Sequence, residues 1–332
     1  MGKIVIGIHG LNNKPPRDVL RQWWKTSLFD GLRGIGQPRL LLRFKLVYWS
    51  DILYPAPLDP NETDPANPFH IADPYTPSSE PFVPEKRTRL ARAGNRMRAP
   101  LDHLLFNRTR LFNLDALGHL FIRRRFKDLH AYYRHSWVGP DRMSRPLKDV
   151  IRAKLATVLQ RYRRHDILLL AHSMGEIVAY DVLASVVPDI PVHTLVTLGS
   201  PLGNPLVVKE IEEEQRALYG RGAGLETPPG IRRRWVDLGD PHDGVCAHRD
   251  LTGHFRPNAH QVQVEPISVN NQYVHRGVRS HHKLYGYART PECARILHDF
   301  LAEGKPVWQE QVRSFCIRLW QRNAPPNDGA AP

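Results

Sequence analysis

Residues 167–180 have the sequence ILLLAHSMGEIVAY, and this stretch decides the fold that the rest of the chain predicts. Its first four residues form an apolar run of strand length, and a segment of helical character begins at Glu176. Between them, Ser173 lies in the pattern small-x-Ser-x-Gly, which is typical of a nucleophile elbow. Ala171 and Gly175 supply the small side chains that such a sharp turn from strand to helix requires.

The helix after the turn favours negative charge at Ser173, because its N-terminus carries free N–H groups and the positive end of the helix dipole. The alternative interpretation is a buried strand that runs into a helix with a chance Ser-x-Gly. The position of the motif between this strand and this helix favours the elbow. We therefore expect Ser173 to be a nucleophile.

The composition is that of a globular protein with a large apolar core. The chain has 332 residues, of which 41% are hydrophobic, and this length accommodates one large α/β domain with an insertion. The net charge of +14 favours an acidic partner or surface. Three scattered cysteines are typical of free thiols in a reducing compartment. No apolar run reaches transmembrane length and residues 2–8 lead directly into a strand, so we expect a cytoplasmic protein without a signal peptide.

Short apolar runs alternate with amphipathic segments along most of the chain. Strands are predicted at 4–8, 40–49, 167–170, 192–198, 233–238 and within 261–269, and helices at 18–31, 146–164, 176–187, 204–218 and 291–301. This alternation predicts an α/β fold with a mostly parallel sheet and helices on both faces, formed by residues 1–53 and 146–303. In such a sheet the chemistry lies at the carboxyl ends of the strands.

Residues 54–145 are expected to form a long insertion of different character. Nine prolines between residues 55 and 84 exclude regular helix or central strand there. Residues 86–137 are predicted to be helical, and residues 86–135 contain thirteen Lys and Arg against three Asp, interleaved with apolar side chains. We expect a cap over the sheet edge, and contact with an anionic membrane surface is a compatible alternative. Residues 304–322 are predicted to form an amphipathic helix and 323–332 a disordered tail.

The loop after the first strand, His9-Gly10-Leu11, is a candidate for part of an oxyanion hole. Folds with a serine elbow place the first donor in this loop, and Gly10 allows the backbone to approach closely. The Leu11 N–H is the candidate donor, and an ordinary turn is the alternative interpretation. His9 and His172 are candidate pocket residues.

A serine nucleophile needs a base and a carboxylate that orients the base, and in folds with this elbow the acid precedes the histidine in the chain. The loop after the strand at 233–238 offers Asp240 and Asp243. We prefer Asp243, because Asp240-Pro241 is typical of a turn opening. Asp237 lies within the strand and is a weaker candidate.

The base is expected after the last strand and just before the terminal helix, where the sequence has two adjacent histidines, His281 and His282. We prefer His282, with His281 as the alternative and His275 as a third candidate. Four other histidines recur every six residues, at positions 242, 248, 254 and 260. They match no metal-ligand spacing, so no metal site is expected.

These motifs resemble those of α/β-hydrolase-fold serine esterases and lipases, in particular uncharacterised bacterial hydrolases of the lipase-like branch. The resemblance rests on His9-Gly10-Leu11, residues 171–175, the turn at 197–201 and the Asp…His tail, and it covers residues 1–53 and 146–303. It implies that the nucleophile is Ser173, the base His282, the acid Asp243 and the oxyanion hole the N–H groups of Leu11 and Met174. Asp243-Gly244-Val245 stands where that branch commonly has Asp-Pro-Val, and the basic insertion has no counterpart.

The expected function is that of a serine hydrolase that cleaves a carboxylic ester, for example an acyl lipid, through an acyl-enzyme. Thioester and amide cleavage stay open, because the same three residues serve all of them. The alternative is a scaffold that uses a hydrolase-like core and the basic segment 86–135 to dock on a membrane or protein, which would make it peripheral to the membrane. No cofactor is implied. No nucleic acid is expected as a partner, because no nucleic-acid-binding motif is present.

Overall fold

A parallel sheet of six strands forms the centre of the molecule, and its strands are built from the apolar runs of the sequence. The computed structural model describes residues 2–37, 41–77, 127–220, 224–246 and 251–304. The strands are β1 (Lys3–Ile8), β2 (Phe44–Val47), β3 (Ser136–Val138), β4 (Ser144–Pro146), β5 (Asp166–His172), β6 (Val192–Leu198), β7 (Ile231–Gly239), β8 (Val264–Ser268), β9 (Val274–His275) and β10 (Val278–Arg279). The helices are α1 (Arg17–Gly34), α2 (Ser50–Leu53), α3 (Lys127–Arg134), α4 (Leu147–Tyr162), α5 (Met174–Asp181), α6 (Pro205–Tyr219), α7 (Leu284–Arg289) and α8 (Pro291–Ala302).

The sheet has the strand order β2-β1-β5-β6-β7-β8, and all neighbouring strands in it are parallel. Two short hairpins, β3–β4 and β9–β10, lie outside this sheet. The chain goes from β1 to β2 on one side and from β5 to β6 on the other. The strand order therefore reverses between β1 and β5, and the carboxyl ends of these two strands mark the switch point at which open α/β sheets bind ligands.

Both faces of the sheet are covered, which explains why its strands are continuous apolar runs rather than alternating ones. On β1, Ile4, Ile6 and Ile8 belong to a core with α3, α4, α5 and α6, whereas Val5 points into a core with α1, α7 and α8. The same alternation separates the side chains of β5 into the two cores. Burial of each such side chain stabilises the fold by roughly 1.5–3 kcal/mol.

Most predicted elements are present, and their bounds differ where local packing decides the end. The strand predicted at 40–49 is shorter, because only Phe44–Val47 pairs with β1, and Leu41 is largely exposed. The helix predicted at 176–187 begins earlier, at Met174, and continues as a π turn over Val182–Val186. The strand expected within 261–269 is β8.

The insertion and the C-terminal segment are described only in part. Residues 54–77 contain the isolated bridge between Asp59 and His70, and the segment from α3 to β4 leads back to the sheet. Of the segment 86–137 that is predicted to be helical, residues 127–134 form α3, but residues 136–137 belong to β3, because they pair with β4. Residues 86–126 of that segment, the predicted helix 304–322 after residue 304, and the tail 323–332 lie outside the described residues. Among the helices that the structure describes, none combines the length and the apolar character needed to cross a membrane.

Candidate active site

Ser173 lies at the sharp turn between β5 and α5, in a backbone conformation that is rare for a residue with a side chain. Its φ is 55° and its ψ is −132°, and strain of this kind costs about 1–3 kcal/mol and persists only where the surroundings enforce it. The Ser173 N–H donates to the Leu198 carbonyl at 3.2 Å, which ties the turn to β6. A side chain at position 175 would lie 2.7 Å from the carbonyl oxygens of Ile8 and His9. Gly175 is therefore required by the close approach of β1.

A chain of hydrogen bonds joins Ser173 to His282 and Asp243. The Ser173 Oγ lies 2.9 Å from His282 Nε2, and His282 Nδ1 lies 2.8 Å from Asp243 Oδ2. The carboxylate accepts only, so the neutral imidazole carries its proton on Nδ1 and accepts from the serine hydroxyl at Nε2. Ser173 and Asp243 are buried, whereas a third of the His282 side chain is exposed. The serine and the acid are thus shielded, while the histidine borders solvent.

Three further donors fix the Asp243 carboxylate. The Val245 N–H donates to Oδ1 at 2.9 Å, and the Tyr287 hydroxyl and the Cys246 thiol donate to Oδ2 at 2.7 Å and 3.4 Å. Burial opposes ionisation of the carboxyl group, but the hydrogen bond and the charge of His282, together with Tyr287 and the Val245 N–H, lower the pKa of Asp243. The carboxylate is therefore held ionised and in one orientation toward the histidine.

The structure separates the two candidate acids and the two candidate bases into different pairs. Asp240 is fully buried, accepts the N–H groups of His242 and Asn271 at 2.7 Å each, and faces His281 Nδ1 at 3.1 Å. Asp243 and His282 face Ser173 instead.

The two remaining candidates are bonded elsewhere. Asp237 accepts a hydrogen bond from the Thr197 hydroxyl at 2.6 Å within the sheet, and His275 bonds Thr76 at 3.0 Å. Neither Asp237 nor His275 forms a hydrogen bond with Ser173 in the part of the chain that the structure describes.

The loop after β1 passes directly against Ser173. A Cβ added to Gly10 would lie 2.7 Å from the Ser173 Cβ and 3.1 Å from its Oγ, so only glycine fits there. The Asn12 N–H donates to Asp128 Oδ2 at 2.5 Å, and the Lys14 ammonium donates to the Leu11 carbonyl. No hydrogen bond from the Leu11 N–H to another described residue is present, and Leu11 lines the same pocket as Ser173.

The Met174 N–H lies at the N-terminus of α5, where the first helical N–H groups have no intrahelical acceptor. Neither the side chain of Ser173 nor that of another described residue caps it. Leu11 lies in the loop after β1 and lines the same pocket as Ser173, and Met174 is the first residue of α5 after Ser173. The Met174 N–H lies at the helix terminus, where the dipole favours negative charge.

The two histidines near the elbow support the backbone around it. His172 Nε2 hydrogen bonds the His282 carbonyl at 2.9 Å, and its ring lies 5.0 Å from the His282 ring. His9 accepts the Trp49 N–H at Nε2 (3.0 Å) and stacks on the Trp49 ring. Burial is the main cause that lowers the pKa of both histidines, reinforced by Lys14 near His9 and by His282 near His172. Both are neutral at physiological pH and also line the pocket.

A cavity of about 330 Å³ opens in front of Ser173 and His282. Its wall combines apolar and polar side chains and comes from α1, the insertion, the start of α7 and the loops after β1, β5, β7 and β10. The apolar residues include Leu20, Trp23, Leu58, Ile71, Val245 and Leu284. Two lysines also line it. Lys283 pairs with Asp73 at 3.3 Å, whereas Lys14 donates to backbone carbonyls of its own loop.

Sequence reasoning missed Asp128, Glu176 and Tyr287, which support the site from outside it. Glu176 is fully buried beneath the elbow, where its Oε1 accepts the Leu198 N–H at 2.8 Å. Burial, together with the nearby Asp237, raises the pKa of Glu176. A charged residue directly after Gly175 in an otherwise apolar helix is a signal that could have identified Glu176. Asp128 and Tyr287 carry no comparable signal.

Neither a comparison with models of protein families nor a search of curated proteins finds a match for this chain. Any function assigned to it has to be argued from the geometry of Ser173 and its surroundings.

Proposed function

We propose that this protein is a serine hydrolase that cleaves carboxylic esters, and that its sheet and helices form an α/β-hydrolase fold. The observation that carries the proposal is the hydrogen-bonded chain Ser173–His282–Asp243 at a strained elbow. A serine hydroxyl is a poor nucleophile until a neighbouring base takes its proton, and these distances of 2.9 and 2.8 Å are those of a nucleophile, a base and an orienting acid.

The order of events follows from the positions of the protons. As Ser173 Oγ attacks the ester carbonyl carbon, its proton passes to His282 Nε2, and Asp243 stabilises the resulting imidazolium. The carbonyl oxygen becomes an oxyanion that accepts the N–H groups of Leu11 and Met174, each of which lowers the barrier by about 3 kcal/mol. His282 then donates its proton to the departing alcohol and leaves an acyl group on Ser173. A water molecule deprotonated by His282 releases the acid and restores the serine.

Two features of the fold support the assignment to α/β-hydrolases. The nucleophile follows a central strand at the carboxyl edge of a parallel sheet, and the acid and the histidine follow it in that chain order, as in this fold. The first candidate oxyanion donor comes from the loop after the neighbouring strand β1, again as in this fold.

The cavity suggests the substrate class. At about 330 Å³ it is at the small end of ligand pockets, and the apolar side chains in its wall favour an acyl group of short to medium length. An acyl lipid with such a chain fits these features, and the net charge of +14 favours approach to an anionic surface.

The experiment is hydrolysis of p-nitrophenyl esters from acetate to long acyl chains, together with labelling by a fluorophosphonate probe, which reacts with activated serines. We expect Ser173→Ala to lose the label and to lower turnover by several orders of magnitude. Ser185→Ala is the matched control, because Ser185 bonds the Asp181 carbonyl in the π turn after α5 and is remote from His282. It should label at the wild-type rate.

The outcomes separate the two candidate functions. If Ser173→Ala keeps both the label and the turnover, the nucleophile is a residue other than Ser173. Absence of both in the folded wild-type protein would contradict the proposal and leave the docking scaffold as the function to test.

A further inference from the structure

Beside the Ser173–His282–Asp243 chain lies a second cluster, formed by Asp240, His242 and His281. His242 Nδ1 lies 3.3 Å from Asp240 Oδ1, and His281 Nδ1 lies 3.1 Å from Asp240 Oδ2. The two imidazole rings are 5.1 Å apart. One ligand atom from each of the three residues lies within 4.8 Å of the others, and no other such group of three occurs in the part of the chain that the structure describes.

Two of these separations, each to a different oxygen of the Asp240 carboxylate, are close to those between ligands of one metal ion. In a tetrahedral zinc site with bonds of about 2.0–2.1 Å, neighbouring ligand atoms lie roughly 3.3 Å apart. The two oxygen–nitrogen distances in the cluster, 3.3 and 3.1 Å, are close to that value. Two imidazoles and one carboxylate are also the ligand set of several zinc sites that keep a fourth position open.

The surroundings of Asp240 are those of a ligand that is held in place. Its carboxylate accepts the N–H groups of His242 and Asn271 at 2.7 Å each, and hydrogen bonds of this kind orient the ligands of metal sites. The Asn271 side chain donates to the His281 carbonyl at 2.8 Å and fixes the second loop. The His242 and His281 side chains are 55% and 27% exposed. An ion can therefore reach the cluster from solvent on the imidazole side.

We propose that Asp240, His242 and His281 form a binding site for a divalent transition-metal cation, with zinc as the ion that fits best. Imidazole nitrogen with a single carboxylate favours zinc and neighbouring transition metals, whereas calcium and magnesium prefer sites made of oxygen alone. The three ligands come from two loops that lie about forty residues apart in the chain, so no short spacing motif could reveal them.

A metal ion at this position would connect the loop that contains Asp243 to the loop that contains His282. His242 is the residue before Asp243, and His281 is the residue before His282. Metal binding to the folded state alone adds to the free energy of unfolding. The ion thus holds the two loops at a fixed separation. This inference does not depend on ester hydrolysis, because the cluster does not include Ser173 and its test measures metal binding.

The test is zinc binding by the full chain after treatment with a chelator, measured by equilibrium dialysis and by the shift in melting temperature with zinc chloride. We expect the wild-type chain to bind one zinc ion and to melt at a higher temperature when zinc is present. His242→Gln/His281→Gln should weaken binding by about tenfold or more. The matched control is His130→Gln/His135→Gln, which removes two histidines whose rings lie 5.4 Å apart elsewhere on the molecule. It should bind zinc as the wild type does.

Asp240→Asn is the second variant, because asparagine keeps the size of the side chain and one of the two oxygens that accept backbone N–H groups. It should also bind zinc about tenfold or more weakly, and its melting curve in chelator shows whether it is folded. Equal zinc binding by the wild type, the double variant and Asp240→Asn would overturn the proposal. So would a wild-type chain that binds no zinc, since the cluster would then be a hydrogen-bonded His–Asp–His group only.

Discussion

At the scale of single residues, Lys14 shows most clearly how the pocket perturbs a side chain. Its ammonium lies in the pocket lining and donates to the backbone carbonyls of Leu11 and Asn12. Burial, reinforced by the charge of Lys283 and partly offset by Asp128, lowers the pKa of Lys14 to about 7. A lysine in the unfolded chain has a pKa of about 10.4. Between these two values, the unfolded chain binds more protons at this position than the folded chain.

This difference predicts a pH dependence of stability with a definite sign. Below about pH 7 the Lys14 side chain is protonated in both the folded and the unfolded state, and its buried charge destabilises the folded state in full. As the pH rises toward about 10, the folded state loses this proton before the unfolded state does, so the free energy of unfolding increases. Lys14→Met removes this contribution. The free energy of unfolding of the wild type, minus that of Lys14→Met, should therefore rise between about pH 6 and about pH 9 in urea titrations. A difference that stays constant or falls over this range would contradict the assignment.

The sequence predicts the residues at the turn of the candidate site better than the residues that support them. Ser173 and Gly175 are predicted because a strand–turn–helix motif constrains both, and Gly10 because a loop must approach the serine. Asp240 and Asp243 are not separated decisively by the sequence, because each follows the same strand by a few residues. Only the side-chain directions in the structure assign Asp243 to His282.

At the scale of elements, helix α7 connects the loop of the acid to the rest of the fold. Tyr287 on this helix is fully buried, and its hydroxyl donates to Asp243 Oδ2 at 2.7 Å and accepts the Asp240 N–H at 3.1 Å. Burial is the main cause that raises the pKa of Tyr287, so the hydroxyl keeps its proton and stays a donor. One side chain thus fixes both ends of the turn that carries the acid.

Tyr287→Phe removes this hydroxyl and leaves the buried Asp240 N–H without its acceptor. We expect the free energy of unfolding to fall by about 1–3 kcal/mol in urea titrations. Under the proposed function, the rate of ester hydrolysis should fall as well, because Asp243 loses a donor that orients it. Tyr162→Phe is the matched control, since the Tyr162 hydroxyl at the end of α4 forms no hydrogen bond with a described residue, and its stability should change little. Equal effects of the two substitutions would refute the role of Tyr287.

The presence of a strand or helix is predictable where its buried faces impose a pattern of apolar residues on the sequence. The residues at which a strand or helix begins and ends are less predictable. The strand predicted at 192–198 and the helix predicted at 204–218 agree with β6 and α6, the helix within one residue at each end, and Asn204 caps α6 by accepting the Leu206 N–H. The strand predicted at 40–49 is too long, because an apolar residue such as Leu41 extends the pattern without a partner strand. Pairing with β1 limits β2, and no local property of the sequence encodes that limit.

At the scale of the whole molecule, the site depends on the sheet bringing distant segments to one edge. Ser173 and His282 are 109 residues apart in the chain, and Asp243 and His282 are 39 apart. Ser173 follows β5, Asp243 follows β7 and His282 follows β10. The register pairs Ile8 with Ala171 and His172 with Leu198, so the carboxyl ends of β1, β5 and β6 lie level. The sequence predicts this edge through the parallel topology, but not the distances between the side chains on it.

Because the sheet has a separate core on each face, a substitution in one core can lower the stability of the fold without changing the site. Leu155 on α4 is fully buried in the core with α3, α5 and α6, away from the cavity, whereas Trp24 on α1 belongs to the other core and also lines the cavity. Leu155→Ala should lower the free energy of unfolding by about 2–5 kcal/mol and leave the fluorophosphonate labelling rate of the folded protein unchanged. Trp24→Ala should lower both the stability and the labelling rate. For each variant, urea unfolding measures the stability, and the labelling rate is measured at a urea concentration below the unfolding transition. Slow labelling of folded Leu155→Ala would mean that the packing beneath α4 holds the elbow in place, and that the site depends on both cores.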